Sequence, residues 1–110
     1  MSAQIARSPA AADVAPAVTL LRLLGEPTRL RIVWALLHGE HSVNELAELA
    51  GVSSAAASQH LAKLRLAALV KARRHGTQVF YEVDDDHVRG LVEAALVHVA
   101  HAGDAKDQPR

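Results

Sequence analysis

The chain has 110 residues, of which 50% are hydrophobic and 22% charged, with 12 Lys plus Arg, 12 Asp plus Glu and no Cys. This length and composition are typical of one folded domain, and they exclude both a disordered chain and a second catalytic domain. The lack of Cys excludes disulfides and thiolate metal sites and suits a reducing compartment, so we expect a cytoplasmic protein. No apolar run approaches the roughly 20 residues of a membrane span, and we expect no membrane partner.

The formal net charge of zero hides two oppositely charged segments. Residues 49–81 contain five Lys and Arg and no acidic residue, whereas residues 82–107 contain seven acidic residues against two basic ones. A basic segment of this kind is typical of a surface that binds a polyanion, although ordinary solvated faces can have the same pattern. The neutral total therefore does not exclude a nucleic-acid partner.

Two helices are predicted after a flexible N-terminal segment of residues 1–12. Apolar residues at spacings of three and four predict a helix over 13–24, with Asp13 as its N-cap. A second helix is predicted from Pro27, which suits the first helical position, to about Leu37.

The next two predicted helices form a helix-turn-helix. Ser42-Val43-Asn44-Glu45 is a capping box, and it predicts a short helix that ends at Ala50. Ser53 or Ser54 then caps a fourth helix, which continues to about Ala67. The buried side of this fourth helix is expected to contain Ala57, Leu61 and Leu64.

The hydrophobic period changes after Leu69. Strand-forming residues over 70–73 and 77–83, on either side of Arg74-His75-Gly76, predict a β-hairpin. Acidic residues at 84–86 suit the start of a last helix, which we expect to stop at Gly103.

The predicted fold class is therefore mainly α (α+β), with element order α-α-α-α-β-β-α. A domain over 13–102 is followed by a flexible tail over 103–110. A helix-turn-helix followed by a basic hairpin is a winged helix. In such folds the second helix of the pair enters the DNA major groove and the hairpin reaches the flanking backbone.

Polar and basic side chains on the fourth helix and the hairpin are the candidate DNA contacts. Gln can pair with adenine, Ser can contact bases or phosphates, and Lys and Arg suit phosphates. The candidates are Ser54, Ser58, Gln59, His60, Lys63, Arg65, Arg73, Arg74 and His75. The alternative is a small helical bundle with a solvated basic face. We expect Trp34 and Phe80 to lie in the core, and the loop residues His38 and His41 to be solvated.

The last predicted helix carries three His residues that could bind a metal. His98 and His101 leave the same helix face, and His87 lies near that face but about 16 Å away along the axis. One helix cannot close such a site, because metal–His bonds are only about 2.1 Å long. Two antiparallel copies would bring Asp85 and His87 of one chain beside His98 and His101 of the other. The alternative is that these His are polar surface or interface residues.

Four segments of the sequence resemble the ArsR/SmtB family of metal-responsive winged-helix regulators. The resemblance covers about residues 20–101. It rests on 24–32 (Leu-Gly-Glu-Pro-Thr-Arg-Leu-Arg-Ile), 43–47 (Val-Asn-Glu-Leu-Ala), 58–64 (Ser-Gln-His-Leu-Ala-Lys-Leu), and Arg74-His75-Gly76 with Tyr81. It implies a cytoplasmic homodimer held by its first and last helices. It also implies binding to a palindromic operator on double-stranded DNA, usually with repression that metal relieves.

The resemblance also bears on the metal. The pattern Asp85-X-His87-X10-His98-X2-His101 is similar to the intersubunit last-helix site of the family's zinc and nickel/cobalt sensors, and His101 favours the nickel/cobalt branch. The Cys motif of the arsenic, cadmium and lead sensors is absent. Nitrogen and oxygen donors suit Ni(II), Co(II) or Zn(II) and disfavour Cu(I).

We therefore predict a regulator that senses Ni(II) or Co(II). The alternatives are a Zn(II) sensor of the same family, or a winged-helix regulator that does not respond to metal. No small organic substrate is expected. An enzyme, such as a metallohydrolase, is disfavoured because the chain has no His-Glu-X-X-His motif and no general base beside the candidate ligands.

Overall fold

A computed structural model describes residue 8 and residues 10–83 and 86–107, with side chains as far as 103. The first helix, α1, spans Ala11–Leu24 and begins earlier than predicted. The predicted cap was wrong: Ala10 is the N-cap, and Asp13 lies in the first turn, where its backbone N–H donates to the Ala10 carbonyl at 2.9 Å. An acidic side chain in the first turn is stabilised by the helix dipole without being the cap.

The second helix, α2, spans Pro27–Leu36, and Glu26 is its N-cap. The Glu26 carboxylate accepts hydrogen bonds from the backbone N–H groups of Thr28 and Arg29, at 3.0 and 2.9 Å. This double cap satisfies two of the N–H groups that a helix start leaves without intrahelical partners. The start of α2 is therefore fixed by its own sequence.

The helix-turn-helix is confirmed. Helix α3 spans Val43–Ala50, and both hydrogen bonds of the predicted Ser42–Glu45 capping box are present. Gly51 adopts φ 71°, a left-handed conformation that favours glycine, and it ends α3. Ser53 caps α4, which spans Ser54–Leu66, by accepting from the Ala56 N–H at 3.1 Å.

The hairpin is also confirmed, but Arg74 and His75 lie in its first strand and not in the turn, and a third strand joins it. Strands β2 (Val70–His75) and β3 (Gln78–Val83) pair antiparallel, and β1 (His41–Ser42) pairs with the other edge of β3. The sheet order is therefore β1-β3-β2. Gly76 has φ 61°, as the first central residue of a two-residue type II′ turn requires.

The core lies between α2, α3, α4, the sheet and the first half of the last helix. Its most buried side chains include Ile32, Val33, Leu46, Leu61, Leu64, Val70 and Val92. The prediction for Trp34 was wrong: its side chain is 41% exposed and packs edge-on against His38, with ring centroids 4.6 Å apart. It lines an apolar groove with Leu30 and Arg31 of the same helix and Leu96 of the last helix. Phe80 is half-buried.

The last helix, α5, spans Asp86–Asp107, so the predicted stop at Gly103 was wrong. A single Gly inside a helix costs only about 1 kcal/mol, and Gly103 keeps right-handed dihedrals. Helix α5 buries Val88 and Val92, but every residue from 97 to 103 is exposed. No helix in the described part of the chain is long and apolar enough to cross a membrane.

Candidate nucleic-acid interface and metal ligands

Helix α4 presents a polar face to solvent because its other face is apolar and fully buried. Ala57, Leu61 and Leu64 have no exposed surface. The exposed candidates on α4 are Ser54, Ser58, Gln59, Lys63 and Arg65. The Ser54 hydroxyl donates to the Asn44 side-chain oxygen at 2.7 Å, so it ties the start of α4 to α3.

The basic groups of this surface have no acidic neighbours that would neutralise them. Within the described residues, Lys63, Arg65 and Arg74 form no ion pair with a carboxylate. Exposed cations of this kind can neutralise phosphates and release bound counterions. The α4 face can therefore contact base edges through its polar groups and phosphates through its cations.

His60 lies on the inner side of α4 rather than on this exposed face, and only 22% of its side chain is exposed. Its Nδ1 is 3.2 Å from Arg29 Nη1 and 3.5 Å from Glu26 Oε2. Partial burial alone would raise the pKa of Glu26. Hydrogen bonds from the Arg29 and Thr28 N–H groups, with the charge of Arg29, bring that pKa below its usual value.

The two adjacent arginines of the hairpin, Arg73 and Arg74, lie on opposite faces of the sheet. Arg73 donates to Glu40 through both Nε and Nη2, with an Nε–Oε2 distance of 3.2 Å. Side chains alternate along a strand, so Arg74 lies on the opposite face, together with Tyr81 of β3. Tyr81 lines a groove with Ser58, Ala62, Arg65 and Leu66 of α4. Arg74 therefore faces the same side as the exposed surface of α4, and Arg73 does not.

His75 stands at the end of β2, next to the turn, and is exposed. Its ring packs edge-on against Phe80, with centroids 5.7 Å apart. The loop residue His38 is exposed and its Nδ1 lies 2.9 Å from the Trp34 carbonyl oxygen. His41, predicted to be solvated, is half-buried in β1 and lies 3.7 Å from Glu45.

The candidate metal ligands on α5 are spread along its exposed surface. His87, His98 and His101 are all exposed, and Asp85 lies outside the described residues. In the part of the chain that the structure describes, no three His, Asp or Glu side chains of one molecule gather into a metal site. His87 lies in the first turn of α5, and His98 and His101 lie about three turns further along it.

Comparisons with known proteins place the chain in a family. The model for "Bacterial regulatory protein, arsR family" matches residues 26–72, from the α2 cap into β2. KmtR, a transcriptional regulator of Mycobacterium tuberculosis, is 49% identical over 78% of this chain and 66% of its own length. NmtR, a transcriptional regulator of the same organism, is 38% identical over 86% of this chain and 76% of its own. The chain belongs to the arsR family of bacterial regulatory proteins.

Two further similarities concern metal and fold. A Staphylococcus aureus homologue of CadC, named as a cadmium resistance transcriptional regulatory protein, is 39% identical over 72% of this chain and 66% of its own length. This chain therefore spans just under two thirds of that homologue and of KmtR. The homodimeric winged helix-turn-helix DNA-binding domain Mb0332 of Mycobacterium bovis superposes with a TM-score of 0.74, at 28% identity, over 100% of this chain and 95% of its own.

These similarities confirm the predicted family and the winged helix-turn-helix fold. The relatives are transcriptional regulators, which agrees with the prediction that this arsR-family chain is not an enzyme. The matched segment ends in β2 and does not include α5. The family match therefore does not test the candidate metal ligands.

Sequence reasoning missed two residues that hold candidate DNA-contact side chains in place. Glu40 binds Arg73, and Asn44 binds Ser54, and neither was predicted to take part. Both lie in elements before α4 and become neighbours of the interface only through the tertiary fold. Their side-chain types alone gave no usable signal. The alternation of the hairpin, by contrast, could have separated Arg73 from Arg74.

Proposed function

We propose that this protein is a transcriptional regulator that binds double-stranded DNA with α4 in the major groove and the hairpin on the flanking backbone. The observation that carries the proposal is the acid-free, exposed polar face of α4, on the same side as Arg74. Ser58 and Gln59 can contact base edges there, and Lys63, Arg65 and Arg74 can contact phosphates. Ser54 joins them at the start of the helix.

We propose further that the regulator is a homodimer formed through α1 and α5. Six of the nine exposed large apolar side chains among the described residues lie on these helices: Val14, Val18, Leu21, Leu91, Val97 and Val99. Exposed apolar side chains concentrated on two elements mark an interaction surface. The homodimeric domain from M. bovis supports the same assembly. A two-fold dimer would bind a palindromic operator.

The dimer would also complete a metal site. Asp85 and His87 of one chain would meet His98 and His101 of the other, and these donors fit Ni(II) or Co(II), with Zn(II) as the alternative. The residues suit this role because His98 and His101 are exposed at a spacing of three and form no hydrogen bond or ion pair with the described residues. The CadC homologue supports a metal response in this family. Bound metal would link the two α5 helices and so change the operator affinity.

The test uses a duplex that the wild-type protein selects from a randomised pool. We expect Ni(II) or Co(II) to change the affinity for this duplex by between about 5- and 150-fold, the usual range of allosteric coupling. The double variant His98→Ala with His101→Ala should abolish that change, and His38→Ala, in an exposed loop, should retain it. An unchanged metal effect in the double variant would contradict the sensing proposal. A metal effect with Zn(II) alone would favour the alternative.

The absorption spectrum of the Co(II) complex addresses the geometry of the same site. Tetrahedral coordination gives an intense visible spectrum and would favour zinc-like sensing. A faint spectrum would indicate octahedral coordination, in which water or further oxygen atoms complete the four protein donors, and it would favour nickel or cobalt. Stoichiometric titration that detects no binding would favour the regulator that does not respond to metal.

A further inference from the structure

A partly buried polar cluster connects the inner side of α4 to the junction between α1 and α2. Its members are Glu26, Arg29 and His60, with side chains 32%, 13% and 22% exposed. Arg29 Nε donates to the Leu23 carbonyl of α1 at 2.7 Å, and Arg29 Nη1 lies 3.2 Å from His60 Nδ1. The cluster therefore joins α4 to the end of one helix and the start of another.

The hydrogen bond from Arg29 decides which nitrogen of the His60 ring carries the proton. A guanidinium has only donors, so the hydrogen bond between Arg29 and His60 requires Nδ1 to accept. The proton of the neutral ring must then be on Nε2. A protonated ring would place a second cation against Arg29 and would leave Glu26, whose Oε2 is 3.5 Å away, as the only acceptor of the cluster within reach.

This bond adds a directional contact to the largely apolar attachment of α4, beside the one that Ser54 makes to Asn44 at the start of the helix. The buried contacts of α4 are Ala57, Leu61 and Leu64, and apolar packing is not directional. A hydrogen bond to a charged donor has a preferred length and angle. His60 is the neighbour of Gln59 and lies one helical turn from Lys63. A change in the rotation of α4 would therefore move both candidate DNA contacts.

We propose that His60 is a positioning residue, which holds α4 in the rotation that reads DNA through its bond to Arg29 and does not touch DNA itself. This role replaces the DNA contact that the sequence suggested for His60. The proposal rests on the proposed DNA-binding function. If the bond between His60 and Arg29 is removed, we expect the protein to discriminate less between DNA sequences and to keep its phosphate contacts.

Two variants of His60 separate these roles. In His60→Asn the side-chain oxygen can accept in place of Nδ1, whereas His60→Leu has a similar volume and no acceptor. Affinities are measured at several salt concentrations for the selected duplex and for a scrambled duplex of the same length. We expect His60→Leu to lose about tenfold of its preference for the selected duplex, with an unchanged salt slope, and His60→Asn to keep it.

Lys63→Ala is the matched control on the same helix. It should weaken binding to both duplexes equally and lower the salt slope by about 1, as the loss of a phosphate contact does. The same decrease in slope for His60→Leu would overturn the proposal, as would equal behaviour of the Asn and Leu variants. If His60→Leu does not fold, His60→Gln replaces it, because its amide reaches the Nε2 position rather than Nδ1.

A DNA-independent measurement keeps the two proposals distinguishable. The ¹⁵N spectrum of the ring nitrogens in the free protein should show His60 as the neutral Nε2–H tautomer. A proton on Nδ1 would overturn the positioning role even if the protein binds DNA. If the wild-type protein selects no duplex from the pool, the proposed function fails, whatever the tautomer.

Discussion

Arg73 and Arg74 are consecutive residues of β2 and lie on opposite faces of the hairpin. Arg73 is held by Glu40, and Arg74 shares its face with Tyr81 and the groove beside α4. We expect Arg74→Ala to weaken DNA binding and to lower the salt slope by about 1, because one phosphate contact is lost. Arg73→Ala should change the affinity much less.

Fluorescence anisotropy at several salt concentrations measures both variants against the same duplex. Arg73→Ala is the matched control, since it removes the same charge from the adjacent position. If both variants weaken binding equally, the hairpin acts as a general source of positive charge. The face of the sheet on which each arginine lies then has no effect on DNA binding. If Arg73→Ala has the larger effect, the assignment of the two faces is wrong.

Ala68 follows α4 in a left-handed conformation, with φ 60°. The Leu69 N–H donates to the Leu64 carbonyl at 2.9 Å, as in a Schellman motif that normally has Gly at this position. A left-handed Ala is strained by its Cβ, so Ala68→Gly should raise the free energy of unfolding by about 1 kcal/mol. Urea denaturation measures the change.

Ala62→Gly is the control for this prediction. Ala62 is exposed in the interior of the same helix, where Gly is disfavoured, and the variant should lose about 1 kcal/mol. Opposite signs for the two substitutions would locate the effect in the backbone conformation. A loss of stability in both variants would show that Ala68 is not strained.

The correct sequence predictions rest mainly on local chemistry. Ser42, Ser53 and Gly76 act within a few residues of themselves, so a cap or a turn could be predicted from the sequence alone. The exposed polar face of α4 could be predicted for a similar reason, because the helical period separates the buried Leu61 from the exposed Lys63.

Most errors concern features whose position depends on contacts between residues that are far apart in the sequence. Strand β1 has only two residues, and it exists because Ser42 meets Phe80, a residue far along the chain. The inward position of His60 was not predicted, because it depends on Arg29, which lies far from it in the sequence. Gly103 is a different case: it has the chemistry of a helix stop, but one Gly inside a helix costs only about 1 kcal/mol, and α5 continues past it.

Leu21 tests the proposed dimer. Its side chain is 55% exposed on α1 and lies beside Leu91 of α5 in an apolar groove. A charge buried in a dimer interface is strongly unfavourable, so Leu21→Glu should give a monomer at micromolar concentration. Sedimentation velocity measures the mass. Leu49→Glu is the control, because Leu49 is 61% exposed on α3, away from both helices, and its substitution should leave the dimer intact. An unchanged dimer in Leu21→Glu would place the interface elsewhere.

The lowered pKa of Glu26 predicts how the free energy of unfolding depends on pH. Hydrogen bonds from the Arg29 and Thr28 N–H groups outweigh partial burial and lower its pKa in the folded state. Folding therefore favours the carboxylate: its contribution is complete above the unfolded pKa of about 4.3 and is lost as the pH falls through the lower folded pKa.

Glu26→Gln should therefore be less stable than the wild type at pH 7, because a neutral amide caps α2 more weakly. The difference should shrink below about pH 4.3, as the wild-type carboxylate takes up a proton. Urea denaturation between pH 7 and pH 3 measures both proteins, and Glu48→Gln, on the exposed surface of α3, controls for the loss of one negative charge. A difference between wild type and Glu26→Gln that stays constant over this range would show that the charge of Glu26 does not stabilise the start of α2.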